Sequence, residues 1–425
     1  MKKKSVVYVL LAMTIGIFSF SCTKDKITES YSFYRPVYQV PDEVKASIKS
    51  STPRSIKSTG KLAVRGNFIY LSELNKGVHI IDFSNPSAPA NIGFVAIPGC
   101  VDLAVRDHYL YADCYTSLVV VDIADPRNTK LTQFMDNVFP DRYAGLASGS
   151  GKILVDWEKV DTVVTRRFDT EFDKTLNGSV VLNDAFFSLT SSNSSKSTSG
   201  GNSTGGSMAR FALNDDRLYT VGYSDMNVLN VSNAAAPSFV KKQNIGGLIE
   251  TIFPYKNNLF IGSQLGMYIY SLSNKDNPAL LSQLLHVQAW DPVIADGDFA
   301  YVTLRGAVRA TATNPSGSWL ELVNVKDLTK PVLIKQYSGI FSNAQGLSKD
   351  ENVLLVCDGV SGLKVFDATD PVDMKLTTTI TGFNALDVIA LNGLALVMAE
   401  DGLHFMDYTS PANIKQLSIL TWAKN

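Results

Sequence analysis

"LVVVDIADP", residues 118–126, sets four apolar residues against an acidic one and then stops in a proline turn. A short apolar run rich in β-branched residues and bounded by turn formers reads as a buried strand. Close copies begin at Val78 (VHIIDFSNP), Leu363 (LKVFDATDP) and Leu403 (LHFMDYTSP). Looser ones begin at Met226 (MNVLNVSNAAAP), Met267 (MYIYSLSNKDNP) and Leu320 (LELVNVKDLTKP). The fifth residues are therefore Asp82, Asp122, Asn230, Ser271, Asn324, Asp367 and Asp407, separated by 40, 108, 41, 53, 43 and 40 positions. A period near 40 in β-rich, turn-punctuated units predicts an all-β propeller with one four-stranded blade per unit.

The second unit can be divided by eye into VDLAVRD, HYLYADC, SLVVVDIA and KLTQFM, four short runs between turn residues. The 108-residue gap has room for one more blade, for which KILVDWEKV and TVVTRRF supply the second and third strands. That reading gives eight blades, with seven as the alternative if the gap is only an elaborated loop. The Ser, Gly, Thr and Asn-rich stretch from Ser188 to Ser207 cannot bury a core and reads as a linking surface loop or disordered chain. The fifth residue of each copy caps its strand: a short Asp, Asn or Ser side chain accepts hydrogen bonds from the turn that follows, and proline then ends the pairing. A catalytic acid is needed once rather than once per blade, so these seven positions are structural.

LVVVDIADP resembles the motif that names the LVIVD-repeat proteins, β-propellers common among lipid-anchored surface proteins of Bacteroidetes-type bacteria. The resemblance runs from about Gly60 to the C-terminus and takes in YRPVYQ (34–39) and GGSMARF (205–211). It implies the fold and implies no particular reaction.

The N-terminus carries an address. Lys2, Lys3 and Lys4 precede an apolar run from Val6 to Phe20, and Ser21 leads into Cys22, the layout of a bacterial export signal ending at a lipidated cysteine. The run is short for a spanning helix with its own flanks. Ser19 and Phe20 depart from the usual lipoprotein box, and the bland alternative is a plain signal peptide cleaved near Ser21. The expected organisation is a signal peptide at 1–22, a polar tether at 23–59 with a short helix near Asp42 to Ser50, and the propeller at 60–425. The expected location is the cell envelope, at the outer membrane, as a monomer whose partner is a glycan or an envelope protein.

Several functions are disfavoured by composition. Thirty-nine Lys plus Arg stand against 40 Asp plus Glu, with no basic block beyond the N-terminus, so the footprint for nucleic acid is missing. No C-x-x-C, H-E-x-x-H, G-x-S-x-G or phosphate-binding glycine loop is present. His79 and His404 fall in third strands and His108 in a hairpin turn, positions read as unrelated. Only His286, shortly before Asp291, is placed near a mouth. Cys100 and Cys114 lie on neighbouring strands of one blade, and export would expose them to an oxidising compartment, so a disulfide is expected there with Cys357 left free.

The remaining candidates are the residues that open each innermost strand: Lys61, Asp102, Arg210, Glu250, Asp291, Gln345 and Asp387. All seven are polar and should form one layer around the axis. They either bond neighbouring blades and channel water, or form a funnel in which Asp102, Glu250, Asp291 and Asp387 could hold calcium through hard oxygen ligands. No other cofactor is implied. The insertion RGAVRATATNPSGSW lengthens its unit to 53 residues and offers Arg305, Arg309 and Trp319 to a ring or an anion, unless Trp319 is simply packed between blades. The leading function is non-enzymatic binding or scaffolding by the mouth and this loop. The alternative is a channel-centred enzyme, such as a metal-dependent lactonase or a glycan-cleaving propeller.

Overall fold

A computed structural model describes residues 26–140, 151–167, 204–285, 292–305 and 317–423. The chain divides into two compact units. The smaller holds most of β1 (Lys26–Gln39) and β11 (Ile153–Arg167), which pair as a two-stranded sheet. Arg35 binds Glu158 at 2.5 Å, and Ser32 donates to the Asp161 carboxylate.

The larger unit begins with helix α1 (Pro41–Ser47) and β2 (Lys49–Ser51). Blade 1 is β3 (Thr59–Arg65), β4 (Phe68–Glu73), β5 (Gly77–Asp82) and β6 (Ala90–Ala96), and blade 2 is β7 (Leu103–Arg106), β8 (Tyr109–Cys114), β9 (Ser117–Asp122) and β10 (Lys130–Met135). After β12 (Thr204–Gly205), blade 3 is β13 (Phe211–Asn214), β14 (Arg217–Val221), β15 (Asp225–Asn230) and β16 (Ser238–Asn244). Blade 4 is β17 (Ile249–Tyr255), β18 (Asn258–Ser263), β19 (Gly266–Ser271) and β20 (Ala279–Leu285), and blade 5 is β21 (Val293–Asp296), β22 (Phe299–Leu304), β23 (Trp319–Asn324) and β24 (Val332–Ser338). Blade 6 is β25 (Leu347–Asp350), β26 (Val353–Cys357), β27 (Leu363–Asp367) and β28 (Lys375–Ile380), and blade 7 is β29 (Ala385–Leu391), β30 (Leu394–Ala399), β31 (Gly402–Asp407) and β32 (Lys415–Thr421).

Seven blades, and not eight, are therefore formed by the described residues. The two strands expected for an eighth are one continuous strand, β11, whose partner is β1. Its sequence contains no Gly, Pro or Asn between Ile153 and Arg167 that could turn the chain.

The repeated phrase does the same work in each blade. The fifth side chain, in Asp82, Asp122, Asn230, Ser271, Asn324, Asp367 and Asp407 alike, accepts the N–H two residues on at 2.8 to 3.1 Å. The sixth residue returns its N–H to the first hairpin of its own blade, as in Phe83 to Asn67 at 2.9 Å and Ala368 to Asn352 at 2.7 Å. Each junction of third and fourth strands carries a register shift, for example between Ile80 and Ile81 and between Phe405 and Met406. Such bulges sharpen the twist that a blade requires.

The cores lie between blades. Separate apolar clusters join blades 1 and 2, 2 and 3, 3 and 4, 4 to 6, 6 and 7, and finally 7 and 1, where Leu62, Ile69 and Phe83 meet Leu396, Leu403 and Phe405. Tyr111 and Tyr219, fully buried, reach across to the carbonyls of Ala234 and Lys275 in the next blade at 2.8 and 2.9 Å. Upstream of blade 1, Val44 and Ile48 enter the cluster of blades 1 and 2, and β2 pairs with the outer edge of β6.

Candidate functional site

The first strands β3, β7, β13, β17, β21, β25 and β29 contact their neighbours in turn and line the axis. Of the polar residues expected to form this layer, Asp102, Arg210, Asp387 and Glu250 act on the charge of Lys61. Lys61, Asp102, Gln345 and Asp387 are buried, while Arg210, Glu250 and Arg305 are half-buried. Local chemistry fixes several of them. The buried Asp113 carboxylate takes the N–H groups of Val101 and Asp102 at 2.7 and 2.9 Å, setting the approach to Asp102. Gly346 is required where blade 6 meets blade 7, because a Cβ there would lie 2.1 Å from Asp387 Oδ1. Gln345 is held by Thr303 Oγ1, which donates to its carbonyl at 2.6 Å, and by Arg305 Nη1, which donates to its side-chain oxygen at 2.9 Å.

The channel end they surround is occupied by the chain itself. β12 pairs with the axial edge of β3, Thr204 against Val64 and Gly205 against Ala63. Gly206 to Ala209 follow, all buried. Lys61 Nζ donates to the Met208 carbonyl at 2.7 Å, and Leu347 of blade 6 donates its N–H to Ser207 Oγ at 3.1 Å. Ile252 of blade 4 donates to the Ala209 carbonyl at 2.9 Å, and the Arg210 N–H donates to Asp102 Oδ2 at 2.7 Å. One short segment thus bonds to blades 1, 2, 4 and 6. A cavity of about 30 Å³ remains beside it, lined by Gly205, Gly206 and Ala209 with Leu103, Phe211 and Ile252. That is room for a few waters.

The tail of the Ser188–Ser207 stretch, read as linkage only, is therefore part of the channel. Small residues are what its position demands, since a strand inserted at the axis leaves little room for side chains. GGSMARF was visible in the sequence, and its direct run into FALN of β13 is the signal that could have placed it at the axis.

Burial governs the electrostatics. Lys61 is pushed down to about 8, chiefly by desolvation and with help from Arg210, against the charges of Asp102, Asp387 and Glu250. Asp102 is pushed up to about 6, again by desolvation first, with Lys61 and the Arg210 N–H opposing. Arg305 is lowered by burial and raised by Glu250. Among the described residues no group of three or more His, Cys, Asp or Glu side chains is arranged to hold a metal ion. Asp102 accepts backbone N–H groups and Glu250 Oε1 accepts from Gln264 at 2.7 Å.

The other expected residues fall elsewhere. Trp319 is 9 % exposed, packs in the cluster of blades 4 to 6 and donates its indole N–H to Glu321 at 3.1 Å, so it is a core residue. Asp291, Arg309, His286 and Cys22 lie outside the described residues. The disulfide between Cys100 and Cys114 is not formed, and both are buried thiols, as is Cys357. The reason is that the β7–β8 ladder ends at Leu103 and Ala112, and Asp113 then bonds the chain where pairing would have continued. Burial raises the Cys114 and Cys357 thiols, which makes them poor nucleophiles.

His79 and His404, read as unrelated, hold the same place: each is the second residue of its repeat and meets a carboxylate at 2.9 Å, Glu73 and Asp401 respectively. Lys364 occupies it in blade 6 and meets Asp358 at 3.2 Å. This is a recurrent buried polar position with a local partner, and it works as a staple between second and third strands.

The LVIVD repeat matches at residues 57–96 and 100–135, which are blades 1 and 2. The described residues form a β-propeller of seven blades, with LVIVD repeats in the first two. No curated protein matches it. Similar solved structures include Sqt1 of Saccharomyces cerevisiae, at 8% identity over 88% of this chain and 87% of that one with a TM-score of 0.51. Another is a "putative 6-phosphogluconolactonase" of Bacteroides uniformis, at 9% identity over 88% and 97% with a TM-score of 0.51. A third is the computationally designed Ika8 protein, at 9% identity over 87% and 90% with a TM-score of 0.50. At these identities the likeness is one of fold alone.

Proposed function

We propose that this propeller is a non-enzymatic binding or scaffold protein, held at the outer membrane by lipid on Cys22, that meets a glycan or an envelope protein with the loops around its plugged mouth. The observation that carries this reading is the segment Gly205–Ala209, whose bonds to Lys61, Leu347 and Ile252 fill the place where a channel-centred enzyme would admit substrate. The loops at the same end expose apolar tips, Tyr223 at 68 % and Val360 at 77 %. The residues flanking the insertion are fixed, because Ser318 Oγ donates to the Leu304 carbonyl and accepts the Ala344 N–H at 3.1 and 2.7 Å. The lysines, apolar run and Cys22 at the N-terminus support the lipid anchor.

The test compares capture of envelope glycans and proteins by the wild type, by Tyr223→Ala with Val360→Asp, and by Asp102→Asn. The rim variant should bind at least tenfold more weakly, equivalent to about 1.4 kcal/mol, at an unchanged melting temperature. Asp102→Asn should alter stability and leave affinity alone. Metal-dependent hydrolysis of a lactone or glycan that Glu250→Gln abolishes would overturn the reading. Cys22→Ser should release the protein from the membrane fraction.

A further inference from the structure

We propose that β20, the outer strand of blade 4, is the edge through which two copies of this protein pair, strand against strand. An outer strand presents a row of backbone N–H and C=O groups that invites another strand, and a charged side chain, lysine above all, is the usual guard. The guard recurs around this propeller: Lys130 in β10, Lys241 and Lys242 in β16, Lys335 in β24, Lys375 in β28 and Lys415 in β32. Two fourth strands have no charge, β6 (ANIGFVA) and β20 (ALLSQLL). β6 is covered by the chain's own β2, which pairs Lys49 with Ala96 and Ser51 with Phe94 and so places a lysine at the true edge of blade 1. Among the described residues nothing pairs with the outer side of β20.

The strand also exposes leucine, with Leu280 at 51 % and Leu285 at 62 %. Val332, Leu333 and Ile334 on β24 of the next blade and Phe239 on β16 of the one before are also exposed. A seven-residue edge alone is less than the ~800 Å² per partner of a stable interface, so a stable pair must also draw on exposed apolar residues of the neighbouring outer strands. A second copy is the occupant that the charge pattern fits. A twofold pairing sets each strand against itself, so a lysine-bearing edge would face its own lysine, whereas β20 faces only itself. Centred on Ser282, the pairing puts Leu280 opposite Leu284 and Ala279 opposite Leu285. This departs from the monomer expected from sequence.

The experiment is sedimentation velocity on the purified full chain in detergent micelles from micromolar to hundred-micromolar concentration, with hydrogen–deuterium exchange of β20 in the same samples. A concentration-dependent dimer, with β20 amides gaining protection as it forms, is expected. Leu280→Lys with Leu285→Lys should abolish it at unchanged melting temperature, while Leu376→Lys on the guarded strand β28 should leave it intact. A monomer throughout overturns the proposal, as does a dimer that forms without protecting β20 or that survives the double lysine substitution.

Discussion

Asp102 and Lys61 are both shifted toward their neutral forms, and the two shifts act on stability in opposite directions of pH. Asp102 has a folded value near 6 against 3.8, so its contribution is complete below the lower value and is lost as pH rises through the upper one. Lys61 has a folded value near 8 against 10.5, so its contribution is present at high pH and is lost as pH falls through about 8. Between about 6 and 8 both are charged and the pair contributes least. The wild type measured against Asp102→Asn should therefore lose stability between pH 4 and pH 7, by up to about 3 kcal/mol, in urea titrations. A difference that stays constant over that range contradicts the assignment. The strand caps behave the other way. Turn N–H and hydroxyl donors hold the carboxyls of Asp82, Asp367 and Asp407 low, so their contribution is present at neutral pH and is lost as pH falls below the usual carboxylate range. Asn already serves as the cap at 230 and 324. Asp367→Asn and Asp407→Asn together should thus keep the melting temperature at pH 7 and reduce its loss in acid, whereas alanine at both should lower it at either pH. Gly362 offers a separate check: its φ is +80° and a Cβ would lie 1.9 Å from the Ile380 carbonyl oxygen, so Gly362→Ala should cost about 2 kcal/mol or more.

At the scale of elements, what a sequence reader can see depends on whether an element is built from local or borrowed partners. The third strand of each blade was legible because its apolar run, cap and proline are contiguous, and all seven caps formed. β11 was misread as two strands because β-formers look alike whether they pair within a blade or with a strand over a hundred residues away, as β1 does. The polar ring was legible as a layer, since strand alternation fixes which residue opens each inner strand. What fills it was not, because glycine and serine at a strand edge resemble a linker until the third dimension brings Val64 and Leu347 beside them. The plug gives its own prediction. Ser207→Ala leaves the Leu347 N–H buried without its acceptor and should cost about 1 to 3 kcal/mol, whereas the same substitution in an exposed linker would cost nothing measurable.

Across the whole molecule the ring closes by packing. Blade 7 is complete within residues 385–421 and takes no strand from the N-terminal end. Closure rests on the cluster shared by blades 7 and 1, on Ser418 Oγ donating to the Pro86 carbonyl at 2.6 Å, and on Trp422, whose indole donates to Ala399 at 2.8 Å beside the Ala423 N–H bond to Ile56. Trp422→Ala should lower stability by about 2 kcal/mol and, because it loosens the closing seam, should speed exchange in blades 1 and 7 before blades 3 to 5. Uniform acceleration around the ring would contradict closure at that seam.

The central claim is that the polar layer at the axis holds a piece of this chain and not a substrate. Hydrogen–deuterium exchange of the amides from Gly205 to Phe211 in the full-length protein tests it most directly. These amides should be protected comparably to those of β3 and β25, and Lys61→Met should selectively weaken that protection. Exchange of Gly205–Phe211 at the rate of an unstructured peptide, in a protein whose inner strands remain protected, would mean that the mouth is open and that Lys61, Asp102 and their neighbours are free to receive a ligand.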